Sequence, residues 1–445
     1  MGGLLRFTTA GSVDDGKSTL IGRLLYDSKS LLADHMTAIE AASRRRGLTD
    51  VDLSLLTDGL IAEREQGITI DVAYRYFATP ARKFIIADSP GHAQYTRNMV
   101  TAASTADVAV ILVDARSGLQ AQTRRHAFLS GWVGIRRVVL AVNKMDLVDY
   151  DERRFDEIVE GFRTFVDGMG FDEVQAIPVS ALRGDMVVER GESLGWYDGP
   201  TLLEYLEQVP SRHEALAGRG GGGNGARGRG ADGIAGHADR AALRLPVQRV
   251  VRVPLGAAQP GSGYEAVEFR GYQGTIAAGG IAVGDEVVVL PGAQTARVAS
   301  LLLADRAVQR AEADQAVTVS LDRELDVSRG SLIVSAGDVP VPARSVDAQL
   351  CWFDDEPLDV SRRYRIKHAT QTVLARIGRP HYRIDVETLQ RIDGPEHFGI
   401  NDIGRVPLTV QQPLAFEPYE RNRVTGAFIV IDEATNRTVA AGTVA

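Results

Sequence analysis

The sequence contains very little cysteine and no long apolar run, and each shortage excludes a class of protein. The 445 residues include a single cysteine, Cys351, which excludes an intrachain disulfide and a cysteine-cluster metal site. We expect Cys351 to be a small core residue. No uncharged apolar stretch reaches the roughly 18 residues of a membrane span, and the N-terminus lacks the pattern of a secretory signal. We therefore predict a cytoplasmic protein with no membrane partner.

Basic residues are fewer than acidic ones, and lysine is especially scarce. The chain has 50 Lys and Arg residues against 58 Asp and Glu residues, which gives a formal net charge of -8 at pH 7. Nucleic-acid binding depends on clustered Lys and Arg, so this balance disfavours a nucleic-acid partner without excluding RNA. Two of the few lysines, Lys17 and Lys144, lie inside the motifs described below.

The first part of the chain has the alternating strand and helix pattern of an α/β fold. Over residues 1–210, short apolar runs such as LLRFTTAG, KFIIADSPG and ADVAVILVDA alternate with longer helical patterns. This alternation predicts a mostly parallel sheet covered by helices. Ligands of such folds bind outside the carboxyl ends of the strands, where every motif used here lies.

The composition changes twice after this domain. Residues 211–242 are rich in Gly and Arg and poor in large apolar residues, which predicts a flexible linker. An RNA-binding tail is the alternative, disfavoured because no aromatic residue lies among the arginines. From residue 243 onward, short β-branched runs separated by Gly, Pro and Asp predict two small antiparallel β-barrel domains, over 243–340 and 341–445.

A phosphate-binding motif follows the first predicted strand. Residues 11–18 read GSVDDGKS, which matches the pattern G-x-x-x-x-G-K-[ST] between a strand and a helical run. The glycines let backbone N–H groups converge on phosphate oxygens at a helix N-terminus. Lys17 would neutralise charge on the β- and γ-phosphates, and the Ser18 hydroxyl would bind Mg²⁺. The alternative is an ordinary strand-to-helix turn.

A second motif, NKMD at residues 143–146, predicts selection of guanine. The Asp146 carboxylate can accept hydrogen bonds from N1–H and the exocyclic amine of guanine, a pair of donors that adenine lacks. Asn143 would brace the site, and the aliphatic stem of Lys144 would stack on the base. Ser180-Ala181-Leu182 ends the next strand and completes the pocket. The alternative is a surface turn. Together the two motifs predict a GTP-binding domain over residues 1–210.

A third group of residues predicts hydrolysis. Asp88, in the sequence DSPGH, is placed to hold Mg²⁺ through water, and the Gly91 N–H can meet the γ-phosphate. The Thr69 hydroxyl would complete the Mg²⁺ shell. His92 would orient the attacking water, although a lone histidine is more often structural.

The predicted catalytic, Mg²⁺-binding and GTP-binding residues all come from the segments described above, and several residues belong to more than one of these sites. We predict Lys17, Thr69 and His92 as catalytic residues and Ser18, Thr69 and Asp88 as Mg²⁺ ligands. The predicted GTP-binding residues are Gly11, Ser12, Val13, Asp14, Asp15, Gly16, Lys17, Ser18, Thr19, Asp88, Ser89, Pro90, Gly91, His92, Asn143, Lys144, Met145, Asp146, Ser180, Ala181 and Leu182.

These segments resemble the translation-factor class of GTPases over most of the chain. The loop GSVDDGKST, where elongation factors typically carry GHVDHGKT, is similar to the GTPase subunit of sulfate adenylyltransferase. The segments LIGRLLYDS, AEREQGITIDVAYRYF, HAQYTRNM, FRGYQGTIAAGGIAVGDEVVVLP and YRIKHATQTVLARI are similar to the same family. Two features depart from it: the Gly/Arg-rich segment is longer than usual, and the N-terminus lies close to the first strand.

The resemblance implies a heterodimer that makes adenylyl sulfate. A smaller catalytic subunit would bind ATP and sulfate, while this chain would bind GTP and Mg²⁺ and couple GTP hydrolysis to the synthesis. A second G-K-[ST] is missing, so we expect no fused adenylylsulfate kinase. The alternatives are an elongation-factor-like GTPase that delivers charged tRNA and a GTPase switch with an unknown client.

Asp14 introduces a negative charge in the middle of the phosphate loop. Repulsion between this carboxylate and a bound triphosphate should cost free energy. In one interpretation its side chain points away and caps a neighbouring N–H group. In the other it holds a monovalent cation such as K⁺ against the bridging phosphate oxygens, as the resemblance to some translation-type GTPases implies.

Overall fold

The computed structural model describes residues 3–28, 72–89, 96–212, 214–215, 242–253, 269–304 and 306–445. The chain divides into two compact units, residues 1–224 with 386–388 and residues 225–385 with 389–445. The predictions for Thr69, Pro90, Gly91 and His92, and most of the predicted linker at 211–242, lie outside the described residues. The predicted domain boundaries therefore stay predictions.

The first unit contains a six-stranded sheet. Its strands are β1 (Leu4–Ala10), β2 (Ala73–Ala78), β3 (Lys83–Asp88), β4 (Val108–Asp114), β5 (Arg137–Asn143) and β6 (Glu173–Pro178). Their order in the sheet is β2-β3-β1-β4-β5-β6, and only β2 runs antiparallel to its neighbour. The predicted mostly parallel sheet is confirmed. All seven residues of β4 are buried, as its continuous apolar run requires.

Five α-helices belong to the described part of this unit. They are α1 (Lys17–Asp27), α2 (Thr96–Thr105), α3 (Ala121–Trp132), α4 (Glu152–Val166) and α5 (Leu202–Gln208). Helix α5 begins with a capping box, in which Thr201 and Glu204 each satisfy the other's backbone N–H. None of the described helices is both long enough and apolar enough to cross a membrane.

One core holds α1 and α5 against the sheet. Phe7 of β1 contacts Phe77 of β2 edge-on, and Phe77 stacks on Phe84 of β3 with ring centroids 4.5 Å apart. Leu24 of α1 and Leu206 of α5 belong to the same buried cluster. The packing fixes the position of α1, and with it the loop from β1 to α1 that carries the phosphate motif.

The second unit begins with an antiparallel barrel. Its strands are β7 (Arg244–Pro246), β8 (Arg249–Val253), β9 (Phe269–Thr275), β10 (Gly280–Ala282), β11 (Glu286–Leu290), β12 (Gln294–Leu303), β13 (Arg306–Val308), β14 (Arg310–Glu312), β15 (Ala316–Leu321) and β16 (Leu332–Ser335). The main sheet has the order β7-β16-β11-β12-β15-β9-β8. Only two residues separate β7 from β8, so the two ends of this sheet meet.

A second antiparallel barrel completes the unit. Its strands are β17 (Ala343–Trp352), β18 (Tyr364–His368), β19 (Gln371–Ile377), β20 (Tyr382–Ile384), β21 (Arg391–Asp393), β22 (Ile403–Leu414), β23 (Ala427–Asp432) and β24 (Thr438–Val444). Pairing of β17 with both β24 and β22 closes the sheet. Both predicted barrels are confirmed, and Cys351 is buried in β17, as expected.

A buried ion pair joins the two barrels. Arg244 of β7 donates two hydrogen bonds of 2.8 Å to the carboxylate of Glu417, and the two residues are 2% and 3% exposed. The Thr425 hydroxyl donates to the same carboxylate at 2.7 Å, and Arg244 also contacts Asp338 at 3.0 Å. The charges are therefore paired within the unit, as burial requires.

Candidate nucleotide-binding site

The phosphate loop turns sharply between β1 and α1. Gly11 has φ 153°, Asp14 has φ 67° and Gly16 has φ 91°. A Cβ atom at Gly11 would lie 2.9 Å from the carbonyl oxygen of Leu112, and one at Gly16 would collide with the Asn143 amide. Glycine is therefore required at both positions, by space and by backbone conformation. Because Gly11 and Gly16 lack side chains, the loop can lie directly against Leu112 of β4 and Asn143 of β5.

Lys17 reaches back across this loop. Its ammonium donates to the carbonyl oxygens of Gly11 and Ser12, at 2.9 and 2.8 Å. The residue is only 9% exposed, and burial lowers the pKa of the ammonium, while the Asp88 and Asp15 carboxylates offset part of that effect. A buried cation directed into the loop is placed to meet anionic phosphate oxygens.

The start of α1 and the end of β3 place two oxygen ligands at this loop. The N-cap residue of α1 is Gly16, which has no side chain to cap the helix, so the first N–H groups face the loop with the positive end of the helix dipole. Ser18 lies in the first turn and is half-buried. Asp88 is 2% exposed, and its carboxylate accepts a 3.0 Å hydrogen bond from Thr9. A hydroxyl and a carboxylate are ligands that Mg²⁺ accepts.

Asn143 ties three segments of the site together. Its amide nitrogen donates to the Asp15 carbonyl oxygen at 2.7 Å, which connects β5 to the phosphate loop. Its amide oxygen accepts from the Ala181 N–H at 3.0 Å, which connects β5 to the loop after β6. The bracing role predicted for Asn143 corresponds to these two hydrogen bonds.

Asp146 lies beside the same loop. Its carboxylate accepts a 2.7 Å hydrogen bond from the Ser180 hydroxyl, and that hydroxyl also accepts from the Arg183 N–H at 3.2 Å. Met145 and Ala181 are buried, whereas Leu182 is 58% exposed. Ser180 is the one donor to this carboxylate within the described part of the chain, and a carboxylate has about four lone-pair sites, so Asp146 can accept further donors.

Lys144 connects the base motif with the phosphate loop. It has a left-handed backbone conformation, and its ammonium donates to the Asp14 carbonyl oxygen and to the Asp114 carboxylate at 2.9 Å. The Asp14 side chain is exposed, and within the described part of the chain no group donates to its carboxylate. The interpretation in which Asp14 caps a neighbouring N–H group therefore finds no donor there.

The structure thus brings most of the predicted site residues into one region. Residues 11–19, 88–89, 143–146 and 180–182 surround the carboxyl ends of β1, β3, β5 and β6. Thr69 and the segment 90–92 lie outside the described residues, so the predicted water-positioning and γ-phosphate contacts remain predictions.

His126 belongs to none of the predicted site residues, yet it lies beneath the phosphate loop. The Gly11 N–H donates to its Nδ1 atom at 3.0 Å. Burial, together with the positive charges of Lys17 and Arg125, lowers the pKa of His126 to about 3. The imidazole is therefore neutral, as an acceptor at Nδ1 must be. Its place on α3 gives no motif from which this contact could be predicted.

Arg23 is a second residue that the sequence analysis missed. From α1 it donates to the carbonyl oxygens of Ala181 and Leu182, at 3.2 and 2.5 Å. A salt bridge of 3.5 Å to Asp27, one turn further along the helix, orients the guanidinium. The helix that begins at the phosphate loop therefore also supports the base-side loop.

Comparison with known proteins gives two family matches. The model of the elongation factor Tu GTP binding domain matches residues 3–211. The model named GTP-eEF1A C-terminal domain-like matches residues 345–445.

Individual proteins match over almost the whole chain. Bifunctional enzyme CysN/CysC of Mycobacterium tuberculosis (strain CDC 1551 / Oshkosh) is 48% identical over 442 residues, which are 99% of this chain and 67% of that protein. Sulfate adenylyltransferase subunit 1 of Methylorubrum populi (strain ATCC BAA-705 / NCIMB 13946 / BJ001) is 49% identical, over 99% of this chain and 87% of that protein. A crystal structure of sup35 complexed with GDP matches at 22% identity and a TM-score of 0.41, over 100% of this chain and 94% of that one.

Proposed function

The chain belongs to the sulfate adenylyltransferase subunit 1 family, and we propose that it is the GTPase subunit of a sulfate adenylyltransferase. This membership confirms the resemblance suggested by the phosphate loop and the barrel segments. The proposal is supported most directly by Asn143, whose hydrogen bonds join the phosphate loop to the loop at Ser180–Leu182, the segments proposed to bind the phosphates and the base.

In the proposed mechanism the loop 11–19 binds the phosphates and Asp146 accepts from guanine. Lys17 neutralises negative charge on the β- and γ-phosphates, which increases as the γ-phosphoryl group is transferred to water. His92 orients that water, and the Gly91 N–H meets the γ-phosphate. The products are GDP and phosphate.

Mg²⁺ fits the oxygen ligands at this loop. We propose that the Ser18 hydroxyl and the Asp88 carboxylate hold it, with Thr69 completing the set. The nearly complete burial of Asp88 keeps its carboxylate fixed beside the loop. When bound, the ion neutralises phosphate charge and orients the β- and γ-phosphates.

The partner in this proposal is a smaller subunit that binds ATP and sulfate. There a sulfate oxygen attacks the α-phosphorus of ATP, adenylyl sulfate forms and pyrophosphate leaves. This reaction is uphill, so GTP hydrolysis must be gated by the partner's reaction state to raise the yield. We further propose that the complex is cytoplasmic.

The proposed function is tested by reconstituting the chain with the smaller subunit, ATP and sulfate. GTP hydrolysis should rise when sulfate is added, and adenylyl sulfate should exceed the yield obtained without GTP. If charged tRNA stimulates hydrolysis and sulfate does not, the chain is an elongation-factor-like GTPase instead.

Replacement of His92 tests its proposed role. His92→Ala should slow GTP hydrolysis by about 100-fold or more, the scale typical of a group that positions or deprotonates the nucleophile. Affinity for GTP should stay within about twofold of the wild type, because the motifs that bind phosphate and guanine are unchanged. Loss of binding in an equilibrium titration would mark His92 as structural.

Asp14 leads to a prediction about salt. We propose that its exposed carboxylate holds K⁺ against the bridging phosphate oxygens, which would stabilise the transition state for hydrolysis. Partner-stimulated hydrolysis should then be faster in K⁺ than in Li⁺ at equal ionic strength. Asp14→Ala should remove the difference. Equal wild-type rates in the two salts would exclude the cation from the mechanism.

A further inference from the structure

Asp114 is a buried carboxylate outside all the motifs identified in the sequence. It is the last residue of β4 and only 4% exposed. In the sheet it lies directly beside Asn143, the first residue of the base motif, because β4 and β5 pair in parallel with Asp114 opposite Asn143. A buried carboxylate needs compensating partners, and Asp114 has them.

Two cations share this carboxylate. The Lys144 ammonium lies 2.9 Å from Oδ2, and the Arg116 guanidinium donates to Oδ2 at 2.7 Å and to Oδ1 at 3.1 Å. Burial raises the pKa of the Asp114 carboxyl, but the hydrogen bonds from Arg116 and Lys144 outweigh it and hold the pKa well below its usual range. Asp114 is therefore charged at neutral pH.

The two cations differ in what else they contact. The Arg116 side chain is 53% exposed, and solvent weakens such an ion pair. The Lys144 side chain is 23% exposed, and its ammonium also donates to the Asp14 carbonyl oxygen of the phosphate loop. The Lys144 ammonium thus connects β4 with the phosphate loop. Asp114 is its negatively charged acceptor on β4.

A free lysine side chain is flexible, and fixing it in one conformation costs rotamer entropy. The Asp14 carbonyl oxygen and the Asp114 carboxylate both accept from the ammonium, so the conformation of the Lys144 stem is restricted before a ligand binds. The stem then runs from the carboxyl end of β5 to the phosphate loop at Asp14 and offers a fixed apolar surface there. Preorganisation of this kind raises affinity because binding no longer has to order the side chain.

We propose that Asp114 is a positioning residue of the guanine nucleotide site, which holds the Lys144 ammonium at the phosphate loop so that the lysine stem forms one face of the purine pocket. The inference rests on the proposed function, since it assumes a guanine nucleotide at this site. It assigns Asp114 no contact with the nucleotide itself.

The test measures binding of fluorescently labelled GDP to the full-length chain. Asp114→Ala should raise the dissociation constant about 10-fold, mainly through faster dissociation, because Lys144 is no longer held. GTP should lose affinity by the same factor, because Asp114 acts on the base side of the site. Asp107→Ala is the matched control, since Asp107 precedes the opposite end of β4 and, among the described residues, its carboxylate accepts from the backbone N–H groups of Arg6 and Arg212. It should bind as the wild type does.

A double-mutant cycle separates positioning from a general structural role. If Asp114 acts through Lys144, the double variant Asp114→Ala/Lys144→Ala should bind GDP no more weakly than Lys144→Ala alone, within about twofold. A dissociation constant equal to the product of the two single effects would overturn the proposal. Arg116→Ala should change affinity by less than about twofold, and an effect as large as that of Asp114→Ala would also overturn it.

The isosteric variant Asp114→Asn provides the test if Asp114→Ala does not fold. Its amide oxygen can still accept from the Arg116 N–H, while the charge that holds Lys144 is gone. It should weaken GDP binding a few-fold, and unchanged binding would overturn the proposal. If the wild type itself does not bind GDP, the proposed function fails. If the wild type binds and the Asp114 variants bind equally well, only the positioning role fails.

Discussion

Lys17→Ala is expected to abolish tight binding of Mg·GTP. The ammonium is the cation that the phosphate loop folds around, and it is almost completely buried against the Gly11 and Ser12 carbonyl groups. Removing one partner of a buried charge pair typically costs about 2–5 kcal/mol, a loss of roughly 30- to 5,000-fold in affinity. Equilibrium titration with labelled GTP measures it.

The chain should remain folded without this lysine, because burial of its charge already opposes folding, as the lowered pKa shows. Lys83→Ala is the matched control, since Lys83 is exposed at the start of β3. It should leave both binding and melting temperature unchanged. Wild-type affinity in Lys17→Ala would show that the phosphate site has been misplaced.

Asp146→Asn is expected to change which base the protein accepts. The carboxylate offers acceptors to N1–H and the exocyclic amine of guanine, whereas the amide offers one acceptor and one donor. Xanthine carries an oxygen in place of that amine, so the variant should bind xanthosine triphosphate and lose GTP. A site built around particular hydrogen bonds rejects a mismatched ligand strongly, so we expect a change in preference of roughly 1,000-fold or more.

The fold around Asp146 should survive this change, because an amide oxygen can still accept from the Ser180 hydroxyl. Asp167→Asn, at an exposed position after α4, is the matched control and should keep the preference for GTP. Competition of the two triphosphates for each variant provides the measurement. If Asp146→Asn still prefers GTP as strongly as the wild type, a residue other than Asp146 recognises guanine.

The strands that carry the motifs were predictable because each is a short, mostly apolar segment that ends at a polar loop. Runs such as VAVILVD can be buried on both faces only in the middle of a covered sheet, which predicts the parallel core. Strand β2 was missed for the same reason. It lies at the sheet edge, where Phe77 is its one buried residue and Tyr76 is 69% exposed, so its sequence AYRYFA contains no such run.

The supporting contacts of the site could not be predicted from local sequence. Motif spacing identifies residues that meet the ligand, because the ligand dictates their chemistry. The contacts of His126 with Gly11 and of Arg23 with Ala181 join residues 115 and 158 positions apart. Each depends on how helices pack on the sheet, and a histidine or arginine inside an ordinary helix carries no local sign of such a partner.

The ion pair between Arg244 and Glu417 limits how the chain can be divided. Cutting between the barrels would separate Glu417 from Arg244, which would keep Asp338 as its remaining acidic partner. Breaking a buried ion pair by removing one partner costs about 3–5 kcal/mol, a large share of the stability of a small domain. The barrel pair is therefore the smallest piece to express from this half of the chain, and a fragment cut at residue 340 should aggregate.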